Sequence, residues 1–159
     1  MNARSKGATA PSRFEFEGTL EREVYLLLQH VSGALGLELA AILKPAGITT
    51  EQFHILRILR GAGREGLPLS AVAERSVSGD PDVTRLVDRL EKRAWVTRSR
   101  DALDRRMVIA RITTDGARLL ARLEGRVSTL HERQLGRLTP EELLQLRTLL
   151  EKVATSGNP

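Results

Sequence analysis

Between Thr84 and Arg106 lie eight residues suited to one chemistry, the recognition of a polyanion: Thr84, Arg85, Arg89, Arg98, Arg100, Asp104, Arg105 and Arg106. An arginine fork can give two parallel hydrogen bonds to a phosphate or to the edge of guanine, while a threonine hydroxyl is less selective. From Arg85 to Arg111 there are nine Lys or Arg against four Asp or Glu, a difference as large as the whole net excess of +5. Thr84, Arg85 and Arg89 fall in VTRLVDRLEK, where Val83, Leu86, Val87 and Leu90 recur at helical spacing and leave Thr84, Arg85, Asp88, Arg89 and Lys92 for solvent. Arg105 and Arg106 fall at or near the tip of a charged loop, SRDALDRR, with Arg98 and Arg100 flanking it as phosphate candidates. Such a loop can enter a minor groove, and Asp104, two residues before Arg106, could fix its guanidinium. The plainer alternative is an amphipathic helix whose arginines pair with Asp82 or Asp88, and a turn with local ion pairs.

Other chemistries find little support. The chain has no cysteine, which excludes disulfides, thiolate metal sites and cysteine redox sensing. Its three histidines, His30, His54 and His131, are far apart in sequence and match no metal-protease spacing, and no glycine-rich phosphate loop is present. An enzyme is not expected, nor any cofactor or metal. No apolar run approaches the ~20 residues of a spanning helix. The first thirteen residues, MNARSKGATAPSR, lack the apolar core of a signal peptide, so residues 1–14 are expected to be a flexible basic tail of a cytoplasmic protein with no membrane partner.

The elements that would position these residues follow from periodicity and punctuation. A long helix is expected from about Glu17 to Lys44, ended by Pro45 and Gly47, and its length calls for another chain or another long helix to cover its apolar stripe. Thr49 with Gln52 forms a capping-box signature for the next helix, lined by Phe53, Leu56 and Leu59. GREGLPLS is a loop, followed by a short helix from Ser70 to Arg75. Asp80 or Asp82 is expected to cap the VTRLVDRLEK helix, with Pro81 in its first turn. Trp95–Arg98 and Met107–Ile112 are the only convincing strands. Thr113 or Thr114 starts a second long helix to about Leu135, striped by Ala117, Leu120, Leu123, Val127 and Leu130. TPEE, with Thr139 as cap and Glu142 reaching back, starts a last helix expected to bury Leu143 or Leu144, Leu146, Leu149 or Leu150, and Val153.

Four segments carry a resemblance: ITTEQFHILRIL, LSAVAERS with DPDVTRLVDRLEKRAWVTR, the loop RDALDRR, and VIARITTDGARLL. Together the sequence resembles the MarR family of winged-helix transcriptional regulators over about residues 20–155. The resemblance implies a mainly α fold in which a winged helix-turn-helix lobe, with a small β-hairpin wing, is flanked by N- and C-terminal dimerisation helices. The lobe would span 48–112 and the dimerisation arms 15–47 and 113–155, all within one domain of 15–159. It implies an obligate homodimer on double-stranded DNA at a pseudo-palindromic operator, usually as a repressor, often released by a small aromatic acid. It places Thr84, Arg85 and Arg89 in the major groove, and Asp104 and Arg106 on the wing motif, with Arg106 in the minor groove. An effector pocket between arms and lobe could include Tyr25, His30 and His54. Two departures stand out. Asp80 replaces a basic or hydroxyl residue, and Ala94 replaces a glycine before the first strand. The alternative function is a winged-helix protein-docking module that no longer binds DNA.

Overall fold

The computed structural model describes residues 18–76, 82–101 and 104–155. The expected basic tail, the Asp80 cap with Pro81, and the loop residues Ala102 and Leu103 lie outside them. The order of elements is α1 (Leu20–Leu43), a 3-10 turn (Lys44–Ala46), α2 (Thr50–Gly61), β1 (Leu67–Pro68), α3 (Leu69–Arg75), α4 (Val83–Lys92), β2 (Val96–Arg100), β3 (Val108–Ile112), α5 (Thr114–Leu135) and α6 (Pro140–Thr155). The fold is mainly helical, with a β-hairpin wing and flanking helices, as expected.

The chain divides into two units between Ala34 and Leu35. The described part of the first is the N-terminal portion of α1, where Leu20, Val24, Tyr25, Leu28 and Val31 are all exposed. By length and a mean hydropathy of 1.6, the helical stretch Leu20–Ala46 is apolar enough to cross a membrane, contrary to expectation. Leucine, valine, isoleucine and alanine keep the average high, while Gln29, His30, Ser32 and Glu38 break the stretch into shorter apolar runs.

The second unit holds the core. Phe53, Ile55, Leu56 and Leu59 of α2 are buried with Val72 of α3, Val83, Val87 and Leu90 of α4, Val96 of β2, and Leu119, Leu120, Leu123, Val127 and Leu130 of α5. Each such aliphatic side chain contributes about 1.5–3 kcal/mol when fully buried. The stripe of α5, expected to seek cover on a second chain, is thus buried within its own lobe. The reverse holds for α6. Of the residues expected to be buried there, Leu143 and Leu146 are half-buried, but both members of the pair Leu149 and Leu150 are exposed, at 62% and 42%, as are Leu144 at 56% and Val153 at 60%.

Local chemistry sets the helix starts. Thr49 Oγ1 accepts from the Gln52 amide at 3.3 Å, and Gln52 Oε1 accepts from the Thr49 amide at 3.1 Å, which satisfies an otherwise buried glutamine. Thr139 and Glu142 make the same reciprocal pair at 2.8 and 3.3 Å. Thr113 accepts from the Gly116 amide at 3.0 Å. The sheet is antiparallel in the order β1-β3-β2, with Val96 opposite Ile112 and Arg100 opposite Val108. The strand β1, set in what the sequence marks as a loop, is a correction. It is only two residues long and contains Pro68, which an edge position tolerates. Gly66 before it has φ +72, and a Cβ there would lie 2.4 Å from the Ala110 carbonyl oxygen.

Ala94 is the only described non-glycine residue with positive φ, at 57°. It turns the chain from α4 into β2, and its carbonyl accepts from Thr113 Oγ1 at 2.7 Å. A left-handed alanine costs about 1–2 kcal/mol, partly offset by the greater freedom of an unfolded glycine. Ala94→Gly should therefore raise the unfolding free energy by about 0.5–1 kcal/mol. Urea titration followed by circular dichroism checks this, and a destabilised variant would contradict the strain.

Candidate nucleic-acid interface

Helix α4 is sharply two-sided. Val83, Val87 and Leu90 face the core, while Thr84, Arg85, Arg89 and Lys92 are exposed. Asp88, expected on the same open face, is instead half-buried. The helix begins one residue after Asp82, but that side chain makes no capping hydrogen bond. Its carboxylate lies 3.2 Å from Arg85 Nη1 instead, so the expected cap at Asp82 is not formed. An exposed pair of this kind contributes about 0–1 kcal/mol and leaves the arginine free to exchange partners.

The wing differs from expectation in how its acid works. Asp104 Oδ1 accepts from the Arg106 amide at 2.9 Å, and the Asp104 amide donates to Asp101 Oδ1 at 3.0 Å. Asp104 therefore shapes the backbone of the turn rather than gripping the guanidinium. Arg105 and Arg106 are exposed and make no ion pair among the described residues. Arg100 Nη1 lies 3.5 Å from the Arg105 carbonyl oxygen, a long contact within the same loop.

Arg98 is placed differently from its neighbours. Its Nε and Nη2 donate to Glu91 Oε2 at 2.8 and 2.6 Å, and Nη1 sits against the Asp88 carboxylate. The hydrogen bonds to Glu91 raise the pKa of Arg98, and the same bonds lower that of Glu91. The guanidinium suggested for a phosphate is engaged here within the lobe.

Arg93 was not singled out from the sequence. Its guanidinium lies 4.0 Å over the Trp95 ring and donates to the Gly47 carbonyl oxygen at 2.6 Å, tying the end of α4 to the segment before α2. Its only sequence signal is a basic residue beside a tryptophan. Gly116 is a second such residue. A Cβ on it would lie 2.2 Å from the Trp95 carbonyl oxygen, so the start of α5 can sit under the hairpin only with glycine there.

Of the effector candidates, Tyr25 and His30 are exposed in the N-terminal unit, where Gln29 Nε2 donates to the Tyr25 hydroxyl at 2.9 Å. His54 is half-buried on α2, edge-on to Phe53, and lines a concavity of about 300 Å³ with Arg57, Ile58, Arg60, Gly61 and Arg75. Arg60 is paired with Glu124. Burial lowers the pKa of His54 first, with Arg57 and His131 adding to the effect and Glu51 opposing it.

The comparisons with known proteins bear on the family and the fold. The model of the MarR family matches residues 48–108, which hold α2 through β2 and reach the first residue of β3. The transcriptional regulator FarR of Neisseria gonorrhoeae is 32% identical over 124 residues, 76% of this chain and 82% of that protein. A mutant MarR from E. coli complexed with operator DNA superposes with a TM-score of 0.74 at 29% identity, covering 86% of this chain and 99% of that one. CouR from Rhodococcus jostii bound to p-coumaroyl-CoA gives 0.74 at 28%, covering 87% and 96%. Fold and exposed basic elements together define a winged helix-turn-helix DNA-binding transcriptional regulator. The chain belongs to the MarR family.

The histidine gives a pH test with a definite sign. Its folded pKa lies below the ordinary 6.5, so the unfolded chain binds more protons as the pH falls through that value. The contribution of neutral His54 is whole above 6.5 and is lost as the pH falls towards its folded pKa. Urea midpoints at about pH 7.5 and about pH 5.5 should drop further for the wild type than for His54→Gln. Equal drops would contradict the depressed pKa.

Proposed function

We propose that the protein acts as a homodimer on a pseudo-palindromic operator, as a repressor, and leaves DNA when an anionic organic ligand binds. The observation that carries the DNA-contact reading is the division of labour on α4 and the wing. Val83, Val87 and Leu90 hold the lobe together, while Thr84, Arg89, Arg105 and Arg106 are exposed and Arg85 has only an exposed ion pair. In this reading Thr84, Arg85 and Arg89 meet base edges or phosphates in the major groove. Arg106, with Arg105, enters the minor groove, and Arg100 adds a phosphate contact.

The dimer reading is supported by apolar surface that the single chain leaves open, on the N-terminal part of α1 and along α6. On α1 this surface is a stripe, with Glu21, Arg22, Glu23 and Gln29 between its apolar residues, which suits a protein partner better than lipid. The ligand reading is supported by the basic concavity at His54, where Arg57 and Arg75 could meet a carboxylate or phosphate. CouR, a relative, binds p-coumaroyl-CoA.

Selection of bound fragments from the source genome would test the reading as a whole. Steep salt dependence with sequence preference is the expected result, while no binding at low salt would leave the docking module. Arg106→Ala should lower operator affinity by about 1–3 kcal/mol with little change in the unfolding midpoint. Unchanged affinity would remove Arg106 from the groove. Thr84→Ala or Arg85→Ala should change sequence preference, whereas a uniform loss on all DNA would indicate phosphate contact. Leu149→Glu with Val153→Glu should give a folded monomer by sedimentation. Leu123, on the stripe of α5, is in the core, so a polar substitution there would report folding instead.

A further inference from the structure

Strand β2 has every polar hydrogen-bonding group of one residue but its carbonyl turned towards α4. The Arg98 amide donates to Glu91 Oε1 at 3.0 Å, while its Nε and Nη2 donate to Glu91 Oε2, so both oxygens of one carboxylate are held by one residue. Nη1 makes an ion pair with Asp88, one turn earlier on the same helix face. Asp88 Oδ1 is buried and has no directed hydrogen bond, so the Arg98 cation beside it is what balances its charge.

We propose that Arg98 is a positioning residue, locking the recognition helix α4 to β2 so that α4 and the wing meet DNA as one rigid unit, and that it makes no phosphate contact itself. The proposal rests on the DNA-contact reading above. The covalent link between the two elements is short and turns at Ala94, so the angle between them is set by what braces them. From Arg98 to the end of β2 and into the loop is ~10 Å at ~3.3 Å per residue. A swing of about 10° at the brace would move the wing by ~2 Å, enough to lose a hydrogen bond of ~3 Å. A planar guanidinium can hold two carboxylates in a fixed geometry. A lysine ammonium, with the same charge, cannot.

That difference separates the brace from a phosphate contact. We would measure operator affinity against salt for the wild type, Arg98→Lys, Glu91→Gln and the double variant Asp88→Asn, Glu91→Gln, each well below its urea midpoint. Bracing predicts that Arg98→Lys and the double variant each bind tenfold or more weakly, with the salt slope of Arg98→Lys equal to that of the wild type. Tighter binding by the double variant, whose Arg98 cation is released from both carboxylates, would overturn the proposal in favour of phosphate contact. Arg98→Lys binding within twofold of the wild type, with only a lowered unfolding midpoint or none, would overturn it in favour of a purely structural pair. Glu91→Gln, which keeps size and shape, covers the case in which the double variant does not fold, and should bind more weakly too.

A second readout needs no DNA. In Arg98→Lys, hydrogen exchange should quicken at the amides of Arg98 to Arg100 and Arg105 to Val108, with Leu56 and Leu120 unchanged. Unaltered exchange in the wing would sink the brace. If the wild type itself fails to bind DNA, the DNA-contact reading fails while the exchange result still decides whether Arg98 braces the wing.

Discussion

Helix α4 has to do two incompatible things with ten residues, and the lobe is arranged around that constraint. Its inner edge must be apolar enough to be held without a long contact, and its outer edge must keep cations in water. Val83, Val87 and Leu90 lie at i, i+4 and i+7 against α2 and α3, where Leu56 and Val72 are fully buried. A cation on that edge would cost several kcal/mol to desolvate unless paired. A leucine on the outer edge would enlarge an apolar patch where a polyanion is to be met. The helix is also too short to be stable alone, so its orientation depends on its neighbours. The α5 start at Gly116, the Arg93 contact with Gly47 and the Arg98 brace each act on it or on the hairpin it runs into.

Much of this could be read from the chain, for reasons visible at particular residues. Capping boxes at Thr49 and Thr139 are local, formed by residues three apart, so sequence spacing is enough to find them. The stripe of α4 is also local. What sequence could not supply was which apolar face belongs to which neighbour. The stripes of α5 and α6 look alike, yet Leu123 is 4% exposed and Leu149 62%. That difference depends on α2 packing on α5, a contact between segments more than fifty residues apart in the chain, as with Arg60 and Glu124.

The candidate interface was legible in the same uneven way. Residue types and the loop context were enough to nominate Thr84, Arg85, Arg89, Arg105 and Arg106, since exposure follows from helix period and from lying in a polar turn. They could not tell Arg98 from Arg100. Both are arginines in one strand, two residues apart and so on one face of it. One meets Asp88 and Glu91, and the side chain of the other reaches only the Arg105 carbonyl of the loop. Asp104 was misjudged for a related reason. A carboxylate near an arginine suggests an ion pair, but at a spacing of two the backbone amide is nearer and wins.

Charge placement explains why a net excess of +5 is enough for a DNA-binding protein. Acidic residues are not spread evenly against the cations. Glu38, Glu91, Asp115 and Glu124 each hold an arginine, Arg133, Arg98, Arg118 and Arg60, away from any ligand. Their mutual neutralisation leaves the local field near α4 and the wing to cations that make no ion pair among the described residues, such as Arg89, Lys92, Arg105 and Arg106. A groove wall feels the local field within a Debye length, ~8 Å at physiological salt, and not the sum over the chain. Moving one acid from α5 to the wing would leave the net charge untouched and weaken phosphate attraction there. For the same reason Asp104 is tolerated beside Arg106. Its oxygen is engaged by a backbone amide, so it builds the turn that presents the arginine instead of pairing with it.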